Sequence, residues 1–254
     1  TGGAEGGEDL KDKVKPLILG HASNVEPVLI NTVDSVYQFS GYGPIEAVTA
    51  LYERGSDFGA VQADYADYAA LVAASIPPGR WATCLAEGLI RLGAPAYGVI
   101  TGDVRGHKVG TTTPRLPGAV IDALADLAGV SGSLIVSAGL TALDTDKPYP
   151  INAVIADQRS FIDMAAGIAD SCNWLAGVSL TGLFVVKKMD FTPAAELTLD
   201  SKGRASPEVV SAAERSTSPP YSKITLGAAR SWRGHTLPET ARGGAPPPPP
   251  WPHA

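Results

Sequence analysis

KPLILGHASNVEPVLINTVDSVYQFSGYGPIEAVTALYERG, residues 15–55, is the stretch that decides the fold. Within it Pro16-Leu-Ile-Leu19, Pro27-Val-Leu-Ile30, Ser35-Val-Tyr-Gln-Phe39 and Ile45 to Tyr52 are short apolar or alternating runs. Gly20, Asn24, Asn31 and the Gly41-Tyr-Gly-Pro44 cluster separate them, and Glu53-Arg-Gly55 ends the last in a turn. Closely spaced runs of this kind, with turn residues between them, read as antiparallel strands. Composition points the same way: 28 Gly and 21 Pro in 254 residues stand well above the usual combined share of about 12%. Such a chain spends much of its length turning. The fold class expected is α+β, with antiparallel β-rich domains of barrel or sandwich type and α/β insertions.

Outward from that block the text changes character. The opening Thr1-Gly-Gly-Ala-Glu-Gly-Gly-Glu8 has no apolar period and reads as a flexible lead. A helix is expected from Asp64 to Ile76, with Tyr65, Tyr68, Ala69 and Val72 on one face, Asp64 as cap and Pro77-Pro-Gly79 as stop. Arg80 to Arg91 and Tyr97 to Thr101 read as strand, turn, strand across Gly93-Ala-Pro95. Pro117 to Gly129 begins with Pro in its first turn and ends on Gly, a helix signature. Asp157 to Cys172 is the clearest helix: Asp157 caps it and Phe161, Met164, Ala165, Ile168 and Cys172 make one stripe. Trp174 to Val178 and Leu183 to Val186 flank Ser179-Leu-Thr-Gly182 as a hairpin. A last helix at Pro207–Arg215 and a strand at Tyr221–Trp232 complete the pattern. The organisation expected is a flexible arm (1–14), a β-rich domain with one helix (15–110), an α+β domain (111–235) and a Pro-rich tail (236–254). Five consecutive prolines favour polyproline II; the tail is a stiff solvated segment or a docking segment for an aromatic groove.

Composition excludes several function classes. A net charge of −6 with scattered Lys and Arg does not make the clustered basic surface of a nucleic-acid groove. No run of about 18 apolar residues and no basic-then-apolar opening is visible, so neither a membrane span nor a signal peptide is expected. Cys84 and Cys172 form no C-x-x-C and read as small buried hydrophobes.

The chemistry-bearing residues make no pattern. His21, His107, His235 and His253 sit beside Gly or Pro, and no G-x-S-x-G elbow is present. Asp103 with His107, and Asp144 with Asp146, offer carboxylates and an imidazole but lack the continuation of an EF-hand loop; a solvated turn is the reading for the aspartate pair. Gly2-Gly3 and Gly6-Gly7 do not have Walker or Rossmann spacing. Asp64 with Asp67, and Asp122 with Asp126, read as solvated helix faces. No catalytic residue, cofactor site or metal site is expected. Trp81, Tyr97, Trp174 and Trp232 are expected to be core aromatics or interface anchors.

A resemblance goes further. Gly3-Ala-Glu-Gly6, Asp9-Leu-Lys11, Lys15-Pro-Leu-Ile-Leu-Gly20 and Asn24-Val-Glu-Pro27 follow one another, then Val36-Tyr-Gln38, Ile45-Glu-Ala-Val48, Tyr52-Glu-Arg-Gly55 and Arg91-Leu-Gly93. Thr101-Gly-Asp-Val-Arg-Gly106, Trp174-Leu-Ala-Gly177 and Pro219-Pro-Tyr221 through Ala229-Arg-Ser-Trp232 continue the series. In this order and spacing the segments resemble the tail tip or baseplate hub proteins of siphovirus-like phages, prophages and gene-transfer-agent-like tails. The resemblance implies a structural virion protein, without enzymatic activity or cofactor, made in the host cytoplasm. It further implies a homotrimer on the tail axis, with tail tube, distal tail and tip or fibre proteins as neighbours and DNA passing transiently through the conduit. Family members carry sequence upstream of the Gly-rich segment and beyond the Trp232 region, so the chain is expected to be one section of a hub or a smaller relative. The alternatives are a receptor- or polysaccharide-binding module, marked by an exposed aromatic cluster, and a cell-wall hydrolase, marked by a zinc set or paired-carboxylate cleft.

Overall fold

The computed structural model describes residues 3–11 and 13–189. The elements expected at Pro207–Arg215 and Tyr221–Trp232, Trp232 itself and the proline tail lie outside the described residues. In chain order the elements are β1 (Leu17–Leu19), β2 (His21–Val25), β3 (Val28–Asn31), β4 (Val36–Gln38), β5 (Ile45–Glu53), β6 (Ser56–Asp57), β7 (Val61–Asp64) and α1 (Tyr68–Ala73). They continue with β8 (Trp81–Cys84), β9 (Leu89–Leu92), β10 (Ile100–His107), α2 (Pro117–Leu127) and α3 (Ser137–Asp146). β11 (Ala153–Ile155), α4 (Phe161–Ser171), β12 (Trp174–Val178) and β13 (Phe184–Lys188) follow. The fold is α+β with mainly antiparallel sheets, and no sheet among the described residues closes into a barrel.

Two sheets form a sandwich. One has the order β2-β10-β5-β6 and the other β3-β4-β9-β8-β7, antiparallel throughout except that β7 runs parallel to β8. Their facing side chains share one core of Ala22, Val25, Phe39, Ile45, Val48, Leu51, Trp81, Ile90, Leu92, Ile100 and Val104. The outer face of the five-stranded sheet is covered in turn. Val36, Ala82, Cys84 and Leu89 pack under Leu71 of α1, with Tyr65, Tyr68 and Val72 at the margin. Because both faces of β8 are covered, all four of its residues are buried, which is why Arg80 to Arg91 shows no clean alternation.

The four runs read as strands in residues 15–55 are β1, β3, β4 and β5; β2 is an added strand that places the separator Asn24 inside it, and two helix boundaries are corrected. Asp64 is not the cap of a helix: it ends β7, which pairs with β8, leaving Asp67 as the cap of α1, its side chain accepting from the Ala70 N–H at 2.8 Å. Asp64 instead accepts from Thr83 Oγ1 at 2.8 Å and the Leu85 N–H at 2.9 Å. The α4 cap is Ser160 rather than Asp157, its hydroxyl accepting from the Asp163 N–H. Asp157 pairs with Arg159. The strand expected from Tyr97 begins at Ile100, and the lead is not a free arm throughout: residues 3–5 and 8–10 form 3-10 turns, with Ala4 and Leu10 against the α1-side core.

β1 joins this sandwich to the remainder of the fold. Ile18 faces the sandwich core, while Leu17 and Leu19 face a second cluster with Val120 and Leu124 of α2 and, at its margin, Ile155, Phe161 and Met164. Its antiparallel partner is β11, contributed by the later part of the chain. The crossing of β1 over β10 demands a residue without a side chain: a Cβ on Gly106 would lie 2.2 Å from the Ile18 carbonyl oxygen. Beyond this seam, α2, α3, α4 and the β12–β13 hairpin enclose Ile121, Leu140, Leu143, Ala165, Ala169, Trp174, Phe184 and Val186.

Candidate functional site

The titratable and nucleophilic side chains do not converge. Among the described residues no three of His, Cys, Asp and Glu are placed to share a metal ion. The Cys84 thiol is buried and pushed up by that burial. Burial, then Arg115 and Arg105, hold His21 below the usual imidazole range, and His107 Nδ1 lies 3.0 Å from the Tyr42 carbonyl oxygen. Asp144 and Asp146 are not in a solvated turn; they lie in the last turn of α3. Asp144 accepts the Gly118 and Ala119 N–H groups at the start of α2, satisfying donors that a helix N-terminus leaves open. Asp146 accepts from Trp174 Nε1 at 3.0 Å and from Lys188 Nζ at 2.6 Å. The Lys188 ammonium and then the indole N–H hold its carboxyl at about 2.

The polar residues that do converge sit on β10. Opposite Asp103 both neighbouring strands carry an extra residue: Gly102 and Val104 pair with Val25 and Ala22 on one side, and Asp103 and Val104 pair with Ala50 and Val48 on the other. Each is a β-bulge, which bends the strand and leaves backbone groups off the ladder. Asp103 takes up what the bulges release. Its Oδ1 accepts the Asn24 N–H at 2.8 Å, with Asn24 in the left-handed region at φ 57°; Oδ2 accepts from Tyr52 Oη at 3.0 Å. Its carbonyl oxygen accepts from Thr49 Oγ1 at 3.1 Å. Burial, then the hydrogen bond to Asp103, push the Tyr52 phenol above its usual range. Sequence spacing pairs Asp103 with His107; the structure gives it Asn24 and Tyr52 instead.

A second junction is made by Arg91 on β9. Its guanidinium donates to the carbonyl oxygens of Leu71, Val72 and Ala74 at 2.7–2.9 Å, closing the C-terminal end of α1, and to Asp34 O at 3.1 Å. The third is Glu53, whose Oε1 accepts the N–H groups of Tyr97 and Gly98, the latter at 2.8 Å.

The aromatic candidates separate cleanly. Trp81 is buried and its indole N–H donates to Gly59 O at 2.7 Å; Trp174 is buried against Asp146. Both are core residues with a satisfied polar edge. Tyr97 is 97% exposed, with its backbone fixed by Glu53 and its ring uncovered. It stands at one end of the sandwich beside Phe58, Pro78 and Pro95, around a groove of about 500 Å³. A further apolar surface, missed from the sequence, lies on the hairpin: Leu175, Val178 and Leu180 are exposed, Leu180 entirely. Its signal is Leu180 in Ser179-Leu-Thr-Gly182, a turn whose tip cannot be covered by the strands it joins.

No protein-family model, curated protein or solved structure matches the chain. No helix among the described residues is long and apolar enough to cross a membrane.

Proposed function

We propose that the chain is a structural component of the tail tip or baseplate hub of a siphovirus-like phage or prophage, helping to join the tail tube to the tip around the DNA conduit. One observation carries this reading. The segments that resemble hub proteins, distant in sequence, meet at the junctions of the sandwich: Asn24-Val-Glu-Pro27, Tyr52-Glu-Arg-Gly55 and Thr101-Gly-Asp-Val-Arg-Gly106 come together at the Asp103 double bulge. Arg91 of Arg91-Leu-Gly93 ties α1 to the five-stranded sheet, and Trp174 of Trp174-Leu-Ala-Gly177 ties the hairpin to α3. These segments therefore make a frame. Residues spent on backbone junctions are those of a protein whose work is to hold a shape.

Edges support the same reading. Among the described residues β3 and β7 border one sheet, β2 and β6 the other, and the hairpin is a two-stranded sheet; such edges and the exposed apolar residues of the hairpin suit contact between subunits. The hub reading requires three copies about one axis. Native mass spectrometry of the purified chain tests it. The expected species contains three copies of the 26.2 kDa chain; a monomer at every concentration up to the assembly range contradicts the proposal.

A further inference from the structure

We propose that the groove at the Tyr97 end of the sandwich is the docking site for the proline tract of this same polypeptide, Pro246 to Pro250 with Trp251 and Pro252. This inference does not rest on the hub reading. Three loops build the groove: the β5–β6 turn and the residue after it (Arg54, Phe58), the turn before β8 (Pro78) and the segment before β10 (Pro95, Tyr97). Two aromatic rings and two prolines line it. Phe58 has one side against the sandwich core and the other toward the groove, and the Tyr97 ring is 97% exposed. Ring-lined troughs are the surfaces that take a polyproline II helix, a ligand already extended and low in entropy before it binds.

The groove is also built in advance. Glu53 holds the Tyr97 and Gly98 N–H groups, and the turn opposite is fixed by the Arg80 N–H donating to Pro77 O and by Gly93 N–H donating to Arg80 O. A Cβ on Gly93 would lie 2.0 Å from Pro77 O, so the two loops touch through a glycine. Loops locked in this way lose little freedom on binding, which is how an exposed tyrosine becomes an anchor.

The occupant follows from the sequence. Residues 246–250 are five prolines followed by Trp-Pro, and no acidic residue occurs after Glu239. Arg242 and His253 flank the tract, while the rim of the groove carries Arg54 and the carboxylates of Glu53 and Asp57, which also hold backbone N–H groups. Reach is not limiting. The 56 residues from 190 to 245 can span at most roughly 180 Å, against a radius of gyration of about 16 Å for a body of this size.

The experiment is nuclear magnetic resonance on the isotope-labelled full-length chain and on full-length P247G/P249G, with the unlabelled peptide of residues 242–254 as probe. The amide resonances of Ala96, Tyr97 and Gly98 should move in P247G/P249G and return when the peptide is added. Tyr97→Ala, introduced into P247G/P249G, should weaken peptide binding by about 10-fold or more. The side chain removed is solvent-exposed, and an unshifted Trp81 indole signal checks that the fold is kept. The proposal is overturned if P247G/P249G leaves these amides unmoved. It is equally overturned if the peptide binds the Tyr97→Ala chain as well as its parent.

Discussion

The sandwich and the helix-hairpin region solve the same problem to different degrees. In the sandwich the five-stranded sheet is covered on both faces: β8 turns Trp81 into the inner core and Ala82 and Cys84 under Leu71 on the outer side. In the other region the hairpin is covered on one face, where Trp174, Phe184 and Val186 meet α3 and α4, while Leu175, Val178 and Leu180 face outward. The sandwich is tied by hydrogen bonds to half-buried charged groups, at Asp103, Arg91 and Glu53. The hairpin is tied to α3 by an ion pair and an indole at Asp146. The difference teaches where the molecule is self-sufficient and where it has surface left to give to a neighbour.

The largest effect expected is at the centre of the sandwich. Phe39 is fully buried, and Phe39→Ala should cost about 3–5 kcal/mol in denaturant unfolding. A loss under about 1 kcal/mol would mean that the two sheets do not share the core described. Next comes the double bulge. Asp103→Ala removes the acceptor of the Asn24 N–H and of the Tyr52 hydroxyl, at about 1–3 kcal/mol, with faster hydrogen exchange at Asn24. Protection unchanged at Asn24 would remove the junction role. The cap of α1 is smaller: Asp67→Ala should cost about 1 kcal/mol and loosen only 68–73, without spreading to β10.

The hairpin responds to acid instead. Because the Asp146 carboxyl is depressed in the folded state, its contribution is complete above the ordinary value near 3.8 and is lost as pH falls toward about 2. The Trp174 indole resonance should therefore shift across that window, and Asp146→Asn should abolish the shift. A Trp174 signal that titrates identically in the variant would assign the effect elsewhere. Smallest of all, Leu180→Ser should change stability by less than about 0.5 kcal/mol in the isolated chain, since its side chain touches solvent only. A larger loss would show that the hairpin tip is covered.

Much of this frame was legible in the sequence, and the misreadings have physical causes. Four strands of residues 15–55 are legible because apolar segments bounded by turn residues have local signals, whereas β2 is not, since His21-Ala-Ser-Asn-Val25 is polar and carries Asn24 at a bulge. The start of α1 was misplaced because Asp64 and Asp67 are equally good caps, and only the pairing of Val61–Asp64 with β8 separates them. α3 went unread because its core-facing residues are few, Leu140 and Leu143; it is held by packing between α2 and β13. The fate of the aromatics was open for a similar reason. Trp81 and Trp174 lie in strands whose inward face is set by partner strands, whereas Tyr97 falls in the loop before β10. Asp103 as the meeting point of three segments depends on bulges in two neighbouring strands, which no spacing along one strand announces.

The central proposal is that this chain is a fixed part of a tail tip, and quantitative mass spectrometry of purified tailed particles that encode it tests that proposal most directly. The account predicts the chain in the particle at three copies, co-purifying with tail tube and tip proteins. Its absence from intact particles, with the chain recovered only as free monomer in the lysate, would contradict the account.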